Sequence, residues 1–353
     1  VGPLARFAEE WAHEATRLGG RTFHGKQIFK WIQARGVVDP QAMTDLPVAL
    51  RERLASEGLA GVVTVLRERR AMDATRKLLV GLHDGTSVET VLIPRLSLGA
   101  GAAVPSAGST GLAEGIDPID TLDDSDAAYV VDDDDDDDDT ENVRDIDGDG
   151  TRNAVDSRRA GHGSNDPPLG GDATDSSGHC PVVPVTQCIS TQVGCAMGCV
   201  FCASGVAGLK RSMGADEVIA QVLVGRSRLE AHERLRNVVF MGMGEPLHNY
   251  DATVRALRLL THPEGIGLSS RKVTVSTSGL VPEIARLGSD FDGQIGLAIS
   301  LHAADDETRS RLMPINKKYP LAMLMQALRD YPLPKRRRIT IEYTLVAGRN
   351  DGV

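Results

Sequence analysis

The stretch GCAMGCVFCASG, residues 194–205, sets Cys195, Cys199 and Cys202 with three residues between the first pair and two between the second. Cysteine thiolates are the usual ligands of iron-sulfur clusters, and a complete cubane normally takes four of them. A set that stops at three leaves one iron open, and an open metal position is where a substrate or cofactor binds. The competing reading is a structural zinc site, which normally takes four protein ligands in paired C-x-x-C units. The one nearby fourth candidate is Cys188, in the strand-like run QCIST.

Downstream of residue 185, strand and helix alternate. TQCISTQ, NVVFMGM, KVTVSTSG, GQIGLAISLHA and RRITIEYTLVAG read as five strands rich in β-branched or apolar residues. Helical stretches such as ADEVIAQVLVGRSRLEA and DATVRALRLLTH lie between them. This predicts an α/β fold, a parallel βα barrel or part of one, with chemistry at the C-terminal ends of the strands. The cysteine loop, MGMGEP, STSG and SLHA all fall there. In MGMGEP, Gly242 and Gly244 let backbone approach a ligand, and Glu245 can accept from an ammonium or a ribose hydroxyl. Ser276, Ser300 and His302 add polar groups at later strand ends, where each alone could equally be a cap or loop residue.

Upstream, RTFHGKQIFKWIQARGV and LPVALRERLASEG have helical periodicity, so residues 1–60 are expected to form a small helical module. Its exposed face would carry Arg21, His24, Lys26, Lys30 and Arg35, either as phosphate contacts or as a solvated helix face. RKLLVGL and SVETVLIP, joined by HDGT, read as a linking β-hairpin within 61–94. Residues 95–184 change character: they hold 22 acidic and 5 basic side chains, including eight consecutive aspartates from Asp132 to Asp139. Such composition is expected to be disordered. Within it, DIDGDGTRNAVD sets Asp145, Asp147, Asp149, Asn153 and Asp156 near calcium-loop spacing, with Gly150 at the turn. That run resembles thrombospondin type 3 and related calcium repeats, although an acidic linker reads the same way.

The net charge is −10, but outside residues 95–184 there are 27 acids against 34 bases. The body is therefore basic, as a polyanionic partner would favour. No run of apolar residues is long enough to span a bilayer, and the N-terminus lacks the apolar stretch of a secretory signal. Five cysteines, three of them clustered, point to a reducing compartment, so the expected location is cytoplasmic.

Taken together, GKQIFKWI, VETVLIP, QCISTQVGCAMGCVFCASG, FMGMGEPLHNYD, VTVSTSGLVP, ISLHA, MPINKKYP and TIEYTLV resemble one family. It is the bacterial radical S-adenosylmethionine enzymes that methylate carbon 2 of an adenine in 23S ribosomal RNA and in some transfer RNAs. The resemblance implies a partial barrel of radical S-adenosylmethionine type over 185–353, a 4Fe-4S cluster on Cys195, Cys199 and Cys202, and S-adenosylmethionine against Gly244, Glu245, Ser276, Ser300, Leu301 and His302. It implies Glu89 as proton acceptor and Cys188 as the cysteine that resolves a protein–RNA adduct.

In the family, one S-adenosylmethionine methylates a cysteine near the C-terminus. A second yields a 5′-deoxyadenosyl radical that takes hydrogen from that methyl, and the methylene radical adds to the adenine. The sequence has no cysteine after Cys202, so the expectation is a C-terminally truncated piece lacking the last strand and the methyl carrier, or a non-catalytic scaffold that binds cluster or RNA. The sister activity at carbon 8 is the alternative enzyme. Expected partners are 23S ribosomal RNA, transfer RNA and an electron-donating reductase, with the protein a monomer.

Overall fold

In the computed structural model, residues 1–56, 59, 62–95 and 182–352 are described. The acidic segment, its calcium-like run and Cys180 lie outside them. Short helices open the chain: α1 (Ala8–Arg17), α2 (His24–Phe29), continued by a π-helical turn over Lys30–Ala34, and α3 (Val48–Ala55). Trp11, Ile28, Phe29, Ile32 and Leu54 are fully buried, the apolar stripe their spacing predicts. Glu10 accepts from the Phe7 backbone N–H at 2.7 Å at the start of α1.

Three antiparallel strands follow: β1 (Val63–Arg70), β2 (Arg76–Leu82) and β3 (Ser87–Pro94). After the acidic segment come β4 (Val183–Cys188), β5 (Gln192–Val193), α4 (Ala203–Val206), β6 (Arg211–Ser212), α5 (Ala215–Ser227) and β7 (Glu233–Phe240). The chain then alternates as α6 (Tyr250–Leu260), β8 (Val273–Thr277), α7 (Val281–Phe291), β9 (Gly296–Ser300), α8 (Asp306–Leu312), α9 (Leu321–Asp330) and β10 (Thr340–Glu342).

The main sheet runs β1-β2-β3-β4-β7-β8-β9-β10. From β4 onward every pairing is parallel, whereas β3 meets β4 antiparallel. The hairpin read as a link is thus part of the sheet that carries the barrel strands. TQCISTQ, read as one strand, breaks after Cys188, and its last residue pairs instead with Ser212 in the small β5–β6 ribbon.

Strand alternation separates two faces. Gln187 and Leu92 are register partners and fully buried; Gln187 Nε2 donates to the carbonyl of Gln221 on α5 at 2.8 Å. That face is covered by helix. Cys188 and its partner Val91 point to the other face, which also receives Glu89, two residues back along β3. By register, Ser276, Ser300 and Glu342 belong to this second face too.

The basic helical face foreseen in the first module is largely spoken for. His24 is buried rather than exposed, its Nδ1 accepting from the Arg21 N–H at 2.9 Å. Lys26 and Lys30 pair with Glu264 at 2.6 and 3.4 Å, and Arg35 stacks over Trp31. The helices dock on the sheet domain through Arg226 of α5, which donates to the carbonyls of Gln33 and Ala34 at 2.7 and 2.6 Å.

Both ends of the acidic segment leave from one point. The Arg95 N–H donates to the Pro184 carbonyl at 2.8 Å, at the N-terminal end of β4. Cys188 closes the opposite end of that strand, about 13 Å away at ordinary strand rise.

Candidate active site

Past Cys188 the chain crosses the end of β7. Gly242 N–H donates to the Ile189 carbonyl at 3.1 Å and Thr191 N–H to the Met243 carbonyl at 2.9 Å. The two segments touch so closely that a Cβ at Gly242 would lie 2.8 Å from that Ile189 oxygen, and one at Gly244, where φ is +99°, 2.5 Å from Gln192 Cβ. Glycine is required at both positions. The turn delivers Glu245, whose N–H donates to Gln192 Oε1 at 2.9 Å. Glu245 is only 4% exposed. Its carboxylate accepts from the Ser278 N–H and Oγ–H, each at 2.8 Å, and from the Leu247 N–H at 3.1 Å. Burial raises its pKa, and these hydrogen bonds with that of Thr277 only partly oppose the rise. Its partners are hydroxyls and amides, not a cation.

The cysteine loop lies beside it. Cys195 N–H donates to the Gly208 carbonyl at 3.3 Å, Cys202 N–H to the Cys199 carbonyl at 3.2 Å, and Val200 N–H to the Leu312 carbonyl at 3.0 Å. All three thiols are free. Burial pushes the Cys195 thiol up, with the charges of Glu245 and Cys202 adding to it. Cys199 is pushed up to about 12 by burial and then by Cys195, Cys202 and Glu245, against the pull of Arg309. These mutual effects place the three sulfurs, Glu245 and Arg309 in one electrostatic neighbourhood. Among the described residues no three His, Cys, Asp or Glu side chains are placed to hold a metal ion. By the chemistry of the donor set, three thiols in one neighbourhood are ligands of the type an iron-sulfur cluster takes.

Beyond Glu245 the remaining strand ends are joined by one carboxylate. Ser276 Oγ and Ser300 Oγ both donate to Glu342 Oε2, at 2.8 and 3.0 Å, and Leu301 N–H donates to the Glu342 carbonyl at 2.9 Å. His302 adopts φ +56°, its Nδ1 accepts from the Thr344 N–H at 2.9 Å, and its ring meets Phe201 edge-on. Burial, with Arg309, lowers its pKa to about 4, so the imidazole is neutral at neutral pH. Arg309 itself is 1% exposed and donates to the carbonyls of Leu301, Ser278 and Ser300 at 3.0, 2.8 and 3.1 Å, tying the ends of β8 and β9 together.

Glu89 and Cys188 face the same side without touching. Glu89 is exposed, with Oε2 3.5 Å from Lys77 Nζ. Burial pushes the Cys188 thiol up to about 12, with Glu342 adding and a hydrogen bond to the Met241 backbone opposing. Sequence reasoning missed Gln192, Ser278, Arg309 and Glu342. Ser278 and Glu342 lay inside stretches already singled out, VSTSG and TIEYTLV; nothing marked Arg309.

Comparison with known proteins shows the family. The family model of the radical SAM superfamily matches residues 189–352, and that of the ribosomal RNA large subunit methyltransferase N-terminal domain matches residues 9–58. A dual-specificity RNA methyltransferase RlmN from Sorangium cellulosum is 58% identical over 349 residues, covering 99% of this chain and 76% of its own. Another from Syntrophobacter fumaroxidans is 35% identical over 343 residues, covering 97% and 74%. A crystal structure of a radical SAM methyltransferase from Sphaerobacter thermophilus aligns with a TM-score of 0.70 at 33% identity, over 100% of this chain and 78% of that one.

Proposed function

Since this chain belongs to the family of the dual-specificity RNA methyltransferases RlmN, within the radical SAM superfamily, we propose that it methylates carbon 2 of an adenine in 23S ribosomal RNA and in transfer RNA. The observation that carries this is convergence: three neighbouring thiols, the cation-free Glu245 and the Ser276–Glu342–Ser300 bridge lie at one end of one sheet, and Cys188 and Glu89 share its open face.

Cys195, Cys199 and Cys202 would hold a 4Fe-4S cluster, and the bound cluster and S-adenosylmethionine would together supply one-electron reduction and radical methyl-transfer chemistry. Gly244 offers backbone and Glu245 a buried negative charge to the methionyl ammonium, an interaction strengthened by exclusion of water. Ser276, Ser300, Leu301 and His302 line the remainder, with His302 serving as a neutral wall rather than a charge.

The adenine must be unstacked to reach this face. Glu89 accepts the ring proton, and its exposure gives that proton a path to water. Burial holds the Cys188 thiol protonated, so its attack on a protein–RNA adduct requires a base to take the proton first. An electron-donating reductase completes the cycle. No described helix is long and apolar enough to cross a membrane.

The test is anaerobic cluster reconstitution, then S-adenosylmethionine, a reductant and a ribosomal RNA fragment, with nucleosides resolved by mass spectrometry. Because the sequence holds no cysteine after Cys202 to carry the methyl group, 5′-deoxyadenosine is the product expected of these residues, and 2-methyladenosine is expected where a methyl-carrying cysteine is also supplied. Methylation at carbon 8 alone, or no 5′-deoxyadenosine at all, would overturn the assignment.

A further inference from the structure

Glu342 has no place in the roles above, yet from the edge strand β10 it reaches the ends of β8 and β9. One of its oxygens, Oε2, receives the hydroxyl hydrogens of both Ser276 and Ser300, from two different strands. Among the described residues Oε1 accepts no hydrogen bond from any side chain or backbone group. Its backbone is fixed independently, by pairing with Ser300 in the β9–β10 ladder and by the Leu301 N–H. The carboxylate is therefore aimed, not drifting.

A serine hydroxyl has one hydrogen and two lone pairs, and an ionised carboxylate has lone pairs only. Once Ser276 and Ser300 have each given their hydrogen to Glu342, neither has one left for a ligand. Two hydroxyl oxygens and the free Oε1 then face outward as acceptors, with no donor among them. The complementary ligand group carries several donors close together. In S-adenosylmethionine three groups do: the ammonium, for which Glu245 already provides a buried charge in the cysteine neighbourhood; the adenine amino group, whose two hydrogens share one nitrogen; and the ribose diol, whose hydroxyls on two adjacent carbons match two serines on two adjacent strands.

We infer that Glu342 is a positioning residue that fixes the hydrogen-bond polarity of Ser276 and Ser300, so that this part of the face selects the ribose diol of the nucleoside half of the cofactor. This rests on the S-adenosylmethionine reading above and adds a reason for the two serines to act as acceptors. A purely structural Glu342, one that only cross-links strand ends, would support every ligand equally. The polarity role predicts discrimination between ligands that differ by a single hydroxyl.

The experiment measures binding by calorimetry to the cluster-reconstituted protein, using S-adenosylmethionine and its 2′-deoxy and 3′-deoxy ribose analogues. Wild type should prefer the intact ribose by about tenfold, the worth of one well-made hydrogen bond. The Glu342→Gln amide can donate to a serine and let its hydroxyl turn. That variant should bind S-adenosylmethionine about tenfold more weakly while binding the deoxy analogues nearly as wild type does, with iron content unchanged. Ser276→Ala, which leaves Glu342 in place, should lose discrimination at one hydroxyl and keep it at the other. An equal weakening for all three ligands, or unchanged discrimination in both variants, would overturn the inference while leaving the methyltransferase assignment intact. Reconstituted wild type that binds none of the three would overturn both.

Discussion

Strand β7 has a buried glutamate at each end, and the two are held in opposite ways. Glu233, 2% exposed at the start of the strand, meets Arg76 at 2.5 Å, while Arg76 also donates to the Arg228 carbonyl at 2.7 Å. Burial pushes the Glu233 carboxyl up, but the Arg76 hydrogen bond, the Glu230 N–H and the charges of Arg76 and His232 outweigh it and hold the group below its ordinary value. Glu245, 4% exposed just past the other end, has amides and hydroxyls but no guanidinium, and it stays above. One end of the strand neutralises its charge internally. The other leaves a buried carboxyl with no cation hydrogen-bonded to it, the imbalance that the proposed ammonium site of S-adenosylmethionine would use.

The contrast can be broken from either side. The largest effect should follow Cys199→Ala, which removes one of the three thiols proposed to hold the cluster: iron content after reconstitution and 5′-deoxyadenosine release should both collapse, with the urea-unfolding free energy of the iron-free protein moving by less than about 1 kcal/mol. Full iron retention would separate Cys199 from the cluster. Next, Arg76→Ala strands the Glu233 carboxylate, and urea unfolding should report a loss of about 3–5 kcal/mol. Replacing both partners with apolar residues should cost much less; an equal cost would mean the pair is not what the carboxylate needs.

The smallest effect concerns Glu245→Gln. A carboxyl whose folded pKa lies above its unfolded value of about 4.5 withdraws stability as pH rises from there through the folded value. Iron-free wild type should lose stability over that interval and Glu245→Gln should not, so the variant gains on wild type as pH increases. Glu233→Gln should behave in the reverse sense, because the stability from Glu233 is present above about 4.5 and lost as pH falls through its lowered folded value. Parallel pH curves for the two variants would remove the distinction between the ends of β7.

Much of the parallel sheet was readable because buried parallel strands are near-continuous β-branched runs, as in KVTVSTSG. Strand β1 was not, because VTVLRERR lies at the sheet edge, exposed over most of its length, and charged residues there obscure alternation. At the candidate site, cysteine spacing and the strand-end motifs picked out residues that the fold brings to one end of the sheet. Arg309 was invisible, since four-bond satisfaction of a buried guanidinium depends on carbonyls and a side chain brought from β8, β9 and the loop after α8. Glu342 sat in plain view as the polar position of TIEY, but only the register of β10 on β9 shows that it faces Ser276 and Ser300. His24 misled for a related reason: helical spacing gives a face but not what packs on it.

The hydrogen bond between Arg95 and Pro184 gives the protein a splice point. Chain length there can change at small entropic cost, roughly 0.6 kcal/mol for each doubling of the loop, and the loop's two flanks meet at the end of β4 opposite Cys188. Lineages could lengthen or shorten this segment, and an engineer could exchange it for a reporter or affinity tag, while the catalytic end remained under separate selection.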